Sequence, residues 1–316
     1  MMMPRYRREL PQLQEQLFLT DGGMETTLIF HHGIELPGFA SFPLLRSAEG
    51  VDALRKYFHP FLKVARRYRA GFILESATWR ANPDWAEKLG YSREELTRIN
   101  QAGIAMLEEI RDAVRHPDPV VISGCLGPRG DGYVASNRMS EQEAEAYHDD
   151  QVAAIAASNA DMAGAMTLNY AEEAIGIARA ARRRQLPVAI SFTVETDGRM
   201  PSGQPLGEAI EQVDEATGGY PSYYMLNCAH PEHFAGTLRD GEGWTRRLRG
   251  LRANASRLSH AELNEATDLD AGDPAELAGQ YATLRQMLPQ LTVLGGCCGT
   301  DHRHVESIAQ ACVPRG

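Results

Sequence analysis

The sequence has few cysteines and no long hydrophobic run. Five cysteines are scattered over 316 residues, and no two of them are separated by two residues, the spacing typical of redox motifs and structural zinc sites. A sparse, odd set of cysteines fits a reducing cytosol better than a disulfide framework, which predicts a cytoplasmic protein. No apolar stretch approaches the roughly 20 residues that span a membrane. The basic N-terminal segment lacks the apolar core of a secretory signal.

The sequence also lacks an excess of positive charge and a low-complexity linker. Its formal net charge is −10, which argues against nucleic acid or an anionic membrane as the main partner. With 43% hydrophobic and 23% charged residues, the composition is that of a soluble globular protein. We therefore predict one domain over residues 1–316, with residues 1–15 as an N-terminal extension. The sequence leaves the oligomeric state open, with a homo-oligomer as one alternative.

What the sequence does contain is a regular alternation of short apolar runs and longer segments of helical periodicity. The apolar runs predict eight strands, at 17–20, 72–75, 120–123, 163–168, 188–192, 223–226, 248–253 and 291–294. The clearest helical segments are 92–114, 140–158, 171–184 and 274–287, of which the first two open with capping boxes. This alternation predicts a single (β/α)8 TIM barrel. The alternative is a doubly wound open sheet, whose usual dinucleotide glycine motif is absent. The seventh strand is the weakest prediction, because two arginines and a glycine interrupt it.

The most informative motif is Gly295-Gly296-Cys297-Cys298-Gly299-Thr300, at the end of the last predicted strand. Neighbouring side chains on an extended backbone point apart, so Cys297 and Cys298 are poorly placed to bond each other. A third thiol, Cys228, follows the sixth predicted strand, and barrel active sites collect at such strand ends. We predict that the three thiolates bind one zinc ion with an open fourth position, as in catalytic zinc sites. The alternative is that the cysteine pair packs as small apolar residues under a glycine turn.

With these motifs the chain resembles the homocysteine S-methyltransferase family over residues 18–311. The most specific matches are Asp21-Gly22-Gly23-Met24-Glu25-Thr26, Asn227-Cys228 and the cysteine motif itself; weaker ones are Glu75-Ser76-Ala77-Thr78-Trp79, Cys125-Leu126-Gly127-Pro128 and Ser191-Phe192-Thr193. The resemblance implies a zinc-binding (β/α)8 barrel whose metal ligands are Cys228, Cys297 and Cys298.

The resemblance also implies a reaction, the zinc-dependent transfer of a methyl group to the thiol of homocysteine, giving methionine. A thiol bound to zinc is deprotonated at neutral pH and can attack a methyl group on a sulfonium or ammonium centre. The sequence ends soon after the cysteine motif and leaves no room for folate or cobalamin modules. We therefore expect a small methyl donor, S-methylmethionine ahead of betaine. The alternatives are a zinc-dependent methyltransferase for another thiol or selenol, and a non-catalytic zinc-binding barrel.

Several residues at the predicted barrel mouth are predicted to contact the substrates. Acidic groups there suit an acceptor ammonium, and large aromatic rings suit a cationic donor through cation–π attraction. The predicted substrate-binding residues are Asp21, Gly22, Gly23, Glu25, Glu75, Thr78, Trp79 and Asn227. Tyr170 and Tyr223 are further aromatic candidates for the donor.

One departure from the family pattern bears on the acceptor. The family has a Glu-Thr pair after the fourth strand, and its glutamate receives the amino group of homocysteine, whereas this chain has Met166-Thr167. An uncompensated buried ammonium is costly. We expect Glu25 or Glu75 to have taken over this role. The alternative is an acceptor without an amino group at that position. Ala77 also replaces a family asparagine.

Overall fold

The computed structural model describes residues 3–238 and 243–313, which form a closed barrel of eight parallel strands in sequence order. The strands are β1 (Phe18–Leu19), β2 (Gly71–Glu75), β3 (Val120–Leu126), β4 (Met162–Leu168), β5 (Val188–Phe192), β6 (Tyr223–Asn227), β7 (Leu248–Ala253) and β8 (Val293–Gly296). Pairing of β1 with β8 closes the sheet. The predicted (β/α)8 barrel is therefore confirmed, including its seventh strand, and the open sheet is excluded.

Helices lie between the strands and cover the outside of the barrel. They are α1 (Met24–Thr26), α2 (Ala48–Arg67), α3 (Pro83–Lys88), α4 (Arg93–Val114), α5 (Glu141–Ala156), α6 (Ala171–Arg183), α7 (Leu206–Thr217), α8 (Pro231–Leu238), α9 (His260–Glu265), α10 (Pro274–Met287) and α11 (His302–Cys312). The serines that precede α4 and α5 form the predicted capping boxes, each with the glutamate three residues later. All four helices predicted from the sequence are present.

Alternation of side chains along the strands divides the core into two parts. In β2, Phe72 and Leu74 face outward into the layer between sheet and helices, while Ile73 packs inside the barrel. Glu75, two residues after Ile73, also points into the barrel and lines a cavity at the C-terminal end of the strand. The same phase brings polar side chains of several strands to one mouth, which is where a barrel builds its active site.

The N-terminal segment packs against the opposite end of the barrel. The Arg7 guanidinium donates to the carbonyl oxygens of Ala156, Ser158 and Ala160, and the buried Gln12 accepts a hydrogen bond from Thr292 through its backbone carbonyl. Residues 1 and 2 of the predicted extension lie outside the described residues. Among the residues that the structure describes, no helix is long and apolar enough to cross a membrane.

Candidate active site

A cavity opens at the C-terminal ends of the strands and encloses about 660 Å³, including space that is open to solvent. We call it the inner chamber. It contains the three predicted metal ligands and all of the predicted substrate-binding residues except Thr78. The lining residues are Asp21, Gly22, Gly23, Met24, Glu25, Thr26, Phe39, Glu75, Ser76, Ala77, Trp79, Cys125, Tyr133, Met166, Thr167, Asn227, Cys228, Arg252, Cys297 and Cys298. Residues distant in sequence thus share one site.

The three cysteines form a single cluster on one wall of this chamber. Their Sγ atoms all lie within 4.8 Å of one another. Cys228 and Cys297 are joined as a disulfide with Cα atoms 5.4 Å apart, and the Cys298 Sγ lies 3.9 Å from that of Cys228. Burial raises the pKa of the Cys298 thiol to about 11, so that in the absence of a metal this thiol keeps its proton at neutral pH.

The backbone at one member of the cluster has a conformation that is uncommon for residues other than glycine. Cys228 has a φ of +56°, a left-handed conformation that costs a non-glycine residue about 1 kcal/mol or more and is common at functional sites. Its carbonyl oxygen accepts hydrogen bonds from Asn254 and His260 at 3.0 and 2.7 Å. These bonds fix the turn that directs the Cys228 thiol toward the cysteine pair.

The glycines of the first loop permit close packing against the cysteine turn. A Cβ on Gly22 would lie 2.7 Å from the carbonyl oxygen of Thr300, and one on Gly23 would lie 2.6 Å from that of Cys297. The Gly23 N–H donates to the Thr300 carbonyl at 3.0 Å. The Asp21-Gly22-Gly23 segment and the cysteine motif therefore constrain each other's backbone.

Asn227 is predicted to bind substrate, and the structure places it beside the thiols with most of its hydrogen bonds made inside the protein. Its Oδ1 accepts from Ser191 Oγ at 2.6 Å and from the Thr167 N–H at 2.9 Å. Its Nδ2 donates to Thr167 Oγ1 at 2.7 Å and lies 3.8 Å from Cys297 Sγ. Asn227 therefore links β4 and β5 and presents an N–H to the Cys297 sulfur.

Arg252, which no sequence motif marked, is the cation of the inner chamber. It projects inward from β7, and its Nη2 lies 2.6 Å from Asp21 Oδ1 while its Nη1 lies 2.5 Å from Glu75 Oε2. Tyr57 donates to the other Asp21 oxygen at 2.9 Å, and Ser123 donates to Glu75 at 3.0 Å. Two of the three carboxylates predicted to contact substrate, Asp21 and Glu75, are thus partnered within the protein.

Burial sets the protonation of this triad. Desolvation raises the pKa of Glu75 to about 7, against the opposing charge of Arg252. Desolvation likewise raises the pKa of Asp21 above its usual value, again opposed by Arg252. For Arg252 itself, burial favours the neutral form, but the carboxylates of Asp21 and Glu75 outweigh it and the pKa rises. The guanidinium therefore stays charged.

Glu25 is the inner-chamber carboxylate that has no basic partner. Ser41 donates to its Oε1 at 2.7 Å, and within residues 3–238 and 243–313 no basic side chain lies within the 4.0 Å of an ion pair. Burial raises its pKa. Met166, at the position of the family glutamate, lines the same chamber and packs among apolar residues of the barrel interior.

Two aromatic side chains lie where the chamber opens outward. The Tyr133 hydroxyl lies 3.6 Å from Cys228 Sγ and 3.7 Å from Cys298 Sγ, and its ring stacks on His260 with centroids 3.9 Å apart. Trp79 donates through Nε1 to the Met166 carbonyl at 3.2 Å. Tyr133 comes from the loop after β3, where no sequence motif marked it.

The remaining aromatic and hydroxyl candidates lie elsewhere. Thr78 is fully buried behind the chamber wall and donates to the Cys125 carbonyl at 2.8 Å. Tyr223 lies deep in the barrel interior against Met162, and the Tyr170 hydroxyl accepts from the Met139 N–H. Tyr170 and Tyr223, the further aromatic candidates for the donor, line neither of the two cavities described at the barrel mouth.

A second cavity continues outward from the first, and we call it the outer chamber. It encloses about 1070 Å³ including open space, and five residues line both chambers: Thr26, Phe39, Trp79, Tyr133 and Cys298. Beyond them its wall includes Arg80, Asp131 and the segment around Asp270. The cysteine cluster thus lies at the junction of two connected spaces.

The donor set of the cluster fits a zinc ion. Three sulfur atoms within 4.8 Å of one another can lie at about 2.3 Å from a common centre once the Cys228–Cys297 pair is reduced, and thiolates are the ligands that zinc prefers. The described residues supply no fourth histidine, cysteine or carboxylate to this group. A three-thiolate site that leaves one position for a substrate is typical of catalysis.

The structure defines a closed (β/α)8 barrel with three cysteine sulfurs clustered at its mouth, and comparison identifies its family. The family model for homocysteine S-methyltransferases matches residues 18–312. The chain therefore belongs to the homocysteine S-methyltransferase family and is a methyltransferase, as the sequence motifs predicted. Comparison with curated protein sequences finds no match.

Solved structures similar to this one include those of the homocysteine methyltransferase MmuM from Escherichia coli. Its oxidized form matches with a TM-score of 0.75 at 20% identity, covering 95% of this chain and 97% of that one. Its metallated form matches with a TM-score of 0.73 at 20% identity, covering 96% and 98%. At this identity the likeness shows the shared fold.

Proposed function

We propose that the protein is a zinc-dependent homocysteine S-methyltransferase that uses a sulfonium or ammonium methyl donor, S-methylmethionine ahead of betaine, and forms methionine. The observation that carries this proposal is the cluster of Cys228, Cys297 and Cys298 at the junction of two chambers. Family membership supports the acceptor. The existence of a metallated form of MmuM, which shares the fold, supports a bound metal.

The three cysteines would hold the zinc ion. When bound, the ion lowers the pKa of a thiol in the fourth position and so supplies a nucleophile at neutral pH. The Asn227 Nδ2, 3.8 Å from Cys297 Sγ, and the Tyr133 hydroxyl, 3.6 Å from Cys228 Sγ, present hydrogen-bond donors to the ligand sulfurs and fix their orientation.

The inner chamber suits the acceptor. Glu25 has a carboxylate oxygen free of basic partners and is the group we propose for the acceptor ammonium, taking over from the glutamate that Met166 replaces. Asp21 and Glu75 are already paired with Arg252. These two carboxylates therefore act on the acceptor mainly by shaping the chamber and by holding the Gly22-Gly23 backbone against the cysteine turn.

Methyl transfer from a sulfonium donor is then a direct displacement. A bond forms between the acceptor sulfur and the methyl carbon, the bond from that carbon to the donor sulfur breaks, and its electron pair remains on the donor, which leaves as a neutral thioether. Trp79 and Tyr133 line the junction and offer aromatic faces to the positive donor. Alignment of the two substrates at the junction of the chambers supplies much of the rate.

The test is a methyl-transfer assay on reduced, zinc-loaded protein with deuterium-labelled methyl donors. S-methylmethionine and betaine are each paired with homocysteine and with γ-mercaptobutyrate, which lacks only the amino group. We expect labelled methionine from S-methylmethionine and homocysteine at the highest rate. Faster methylation of γ-mercaptobutyrate than of homocysteine would favour a changed acceptor. No transfer from any pair would favour the alternative of a non-catalytic zinc-binding barrel.

A further inference from the structure

Arg80 lines the outer chamber and is held rigidly there. Its guanidinium carbon lies 3.8 Å from the centre of the Trp85 ring and 5.0 Å from that of Trp79. Its Nη1 donates to the Gly38 carbonyl at 2.7 Å. Stacking on two indoles together with one backbone hydrogen bond fixes the plane of the guanidinium and reduces the entropy lost when it binds a ligand.

The hydrogen-bonding capacity of Arg80 is mostly unused. Its Nε is buried without a hydrogen-bond partner. Asp131 and Glu25 lie near enough for their charges to act on Arg80, but across the described part of the chain neither they nor any other carboxylate lies within 4.0 Å of its nitrogens. A buried, unpaired N–H on a charged group is costly, and a planar fork of N–H donors matches a carboxylate. These two properties together indicate that a ligand carboxylate completes the site.

The position of Arg80 indicates which substrate supplies that carboxylate. Of the described residues that line the two chambers, Arg252 and Arg80 are the only arginines or lysines, and Arg252 is already paired with Asp21 and Glu75. Arg80 lines the outer chamber and not the inner one. The proposed acceptor site at Glu25 lies in the inner chamber, so we place the donor in the outer chamber.

We propose that Arg80 binds the carboxylate of the methyl donor and thereby selects donors in which the methyl-bearing cation and a carboxylate belong to one molecule. Trp79 is next to Arg80 in the chain and lines both chambers, so that an aromatic face for the cation and a fork for the carboxylate are adjacent. This inference rests on the proposed methyl transfer, and names Arg80 as its donor-specificity residue.

The test compares two donors that differ by one carboxylate, dimethylsulfonioacetate and trimethylsulfonium. Donor KM with homocysteine as acceptor is measured for the natural protein, Arg80→Gln and Arg80→Lys. Lys88→Gln is the matched control, because Lys88 also lies over the Trp85 ring, at 4.2 Å, but lines neither chamber. Tryptophan fluorescence titrations with each donor, without acceptor, give binding independently of turnover.

We expect Arg80→Gln to raise the KM and the dissociation constant of dimethylsulfonioacetate about tenfold to hundredfold, the effect of losing one charge-assisted hydrogen-bonded pair. The values for trimethylsulfonium and the KM of homocysteine should not rise. Arg80→Lys should recover only part of the loss, since it lacks the fork, and Lys88→Gln should match the natural protein. Equal losses with both donors, a rise confined to homocysteine, or no loss would overturn the proposal. Donor binding that depends on Arg80 without any methyl transfer would instead refute the proposed function and leave the carboxylate site standing.

Discussion

Arg252 and Glu75 form an ion pair across the interior of the barrel, with Nη1 2.5 Å from Oε2. Both side chains are buried, and Arg252 also forms an ion pair with Asp21, which lies in the loop after β1. The pair ties β7 to β2 and closes the floor of the inner chamber. Because Arg252 already engages Asp21 and Glu75, we propose that the acceptor ammonium binds Glu25, which forms no ion pair with a basic side chain among the described residues.

Replacing Arg252 by methionine should destabilise the protein strongly. The change leaves the carboxylates of Asp21 and Glu75 buried without their cation, and removing one partner of a buried pair typically costs about 3–5 kcal/mol. Urea unfolding measures the free energy of unfolding of the natural protein and of each variant. Arg257→Met is the control, because its pairs with Glu232 and Glu276 are exposed and such pairs contribute about 1 kcal/mol or less. Equal costs for the two variants would show that the buried triad has no special role.

Glu25→Gln should weaken homocysteine binding selectively. Loss of one charge-assisted hydrogen bond to the ammonium predicts a rise of about tenfold to hundredfold in the KM for homocysteine. For γ-mercaptobutyrate the KM should stay unchanged, because that thiol has no amino group. Steady-state kinetics on both acceptors measure this, with the exposed Glu35→Gln as control. A variant that still prefers homocysteine as strongly as the natural protein does would exclude Glu25 as the ammonium partner.

Glu75 should give the stability of the protein a characteristic pH dependence. Its pKa is raised from 4.5 to about 7, chiefly by desolvation and against the charge of Arg252. Between these values the folded state holds a proton that the unfolded state releases, so this group's contribution to the free energy of unfolding falls as pH rises through the interval. Urea unfolding from pH about 4.5 to about 7.5 should show a steeper decline for the natural protein than for Glu75→Gln. Parallel profiles would mean that Glu75 titrates normally.

Oxidation of the metal-free protein should produce a specific disulfide. The Cα atoms of Cys228 and Cys297 are 5.4 Å apart, within the range that disulfides adopt, whereas Cys298 keeps a free thiol. After chelation and mild oxidation, peptide mass spectrometry should show the Cys228–Cys297 linkage with Cys298 alkylated. Reductant and zinc together should restore activity. A dominant Cys297–Cys298 linkage would contradict the observed arrangement.

The barrel and the cysteine cluster were predictable because they depend on local patterns. Apolar runs followed by glycine mark strand ends, and the topology of a closed barrel then brings Cys228 to the Cys297–Cys298 turn, although the two are far apart in sequence. The hydrogen-bonding serines of the capping boxes likewise fix helix starts through contacts only three residues long. Such local signals can be recognised in the sequence without knowledge of tertiary contacts.

Arg252 and Tyr133 were missed for the opposite reason. An arginine in a strand normally weakens the prediction of that strand, and its role appears only when Asp21 and Glu75 are seen on neighbouring parts of the barrel wall. The period-two alternation that places Arg252 in phase with the inward Gly250 was the available signal. Tyr133 lies in an irregular loop, where no periodicity predicts which way a side chain points.

The central claim is that three cysteines hold a zinc ion that activates the acceptor thiol, and one paired measurement tests it most directly. Zinc content and methionine formation from homocysteine and S-methylmethionine are determined on the same reduced preparations of the natural protein, Cys298→Ser and Cys312→Ser. Cys312 is a buried cysteine on α11 outside both chambers. We predict about one zinc per chain and methionine formation for the natural protein and Cys312→Ser, and neither for Cys298→Ser. Full zinc occupancy and undiminished methionine formation in Cys298→Ser would contradict the account.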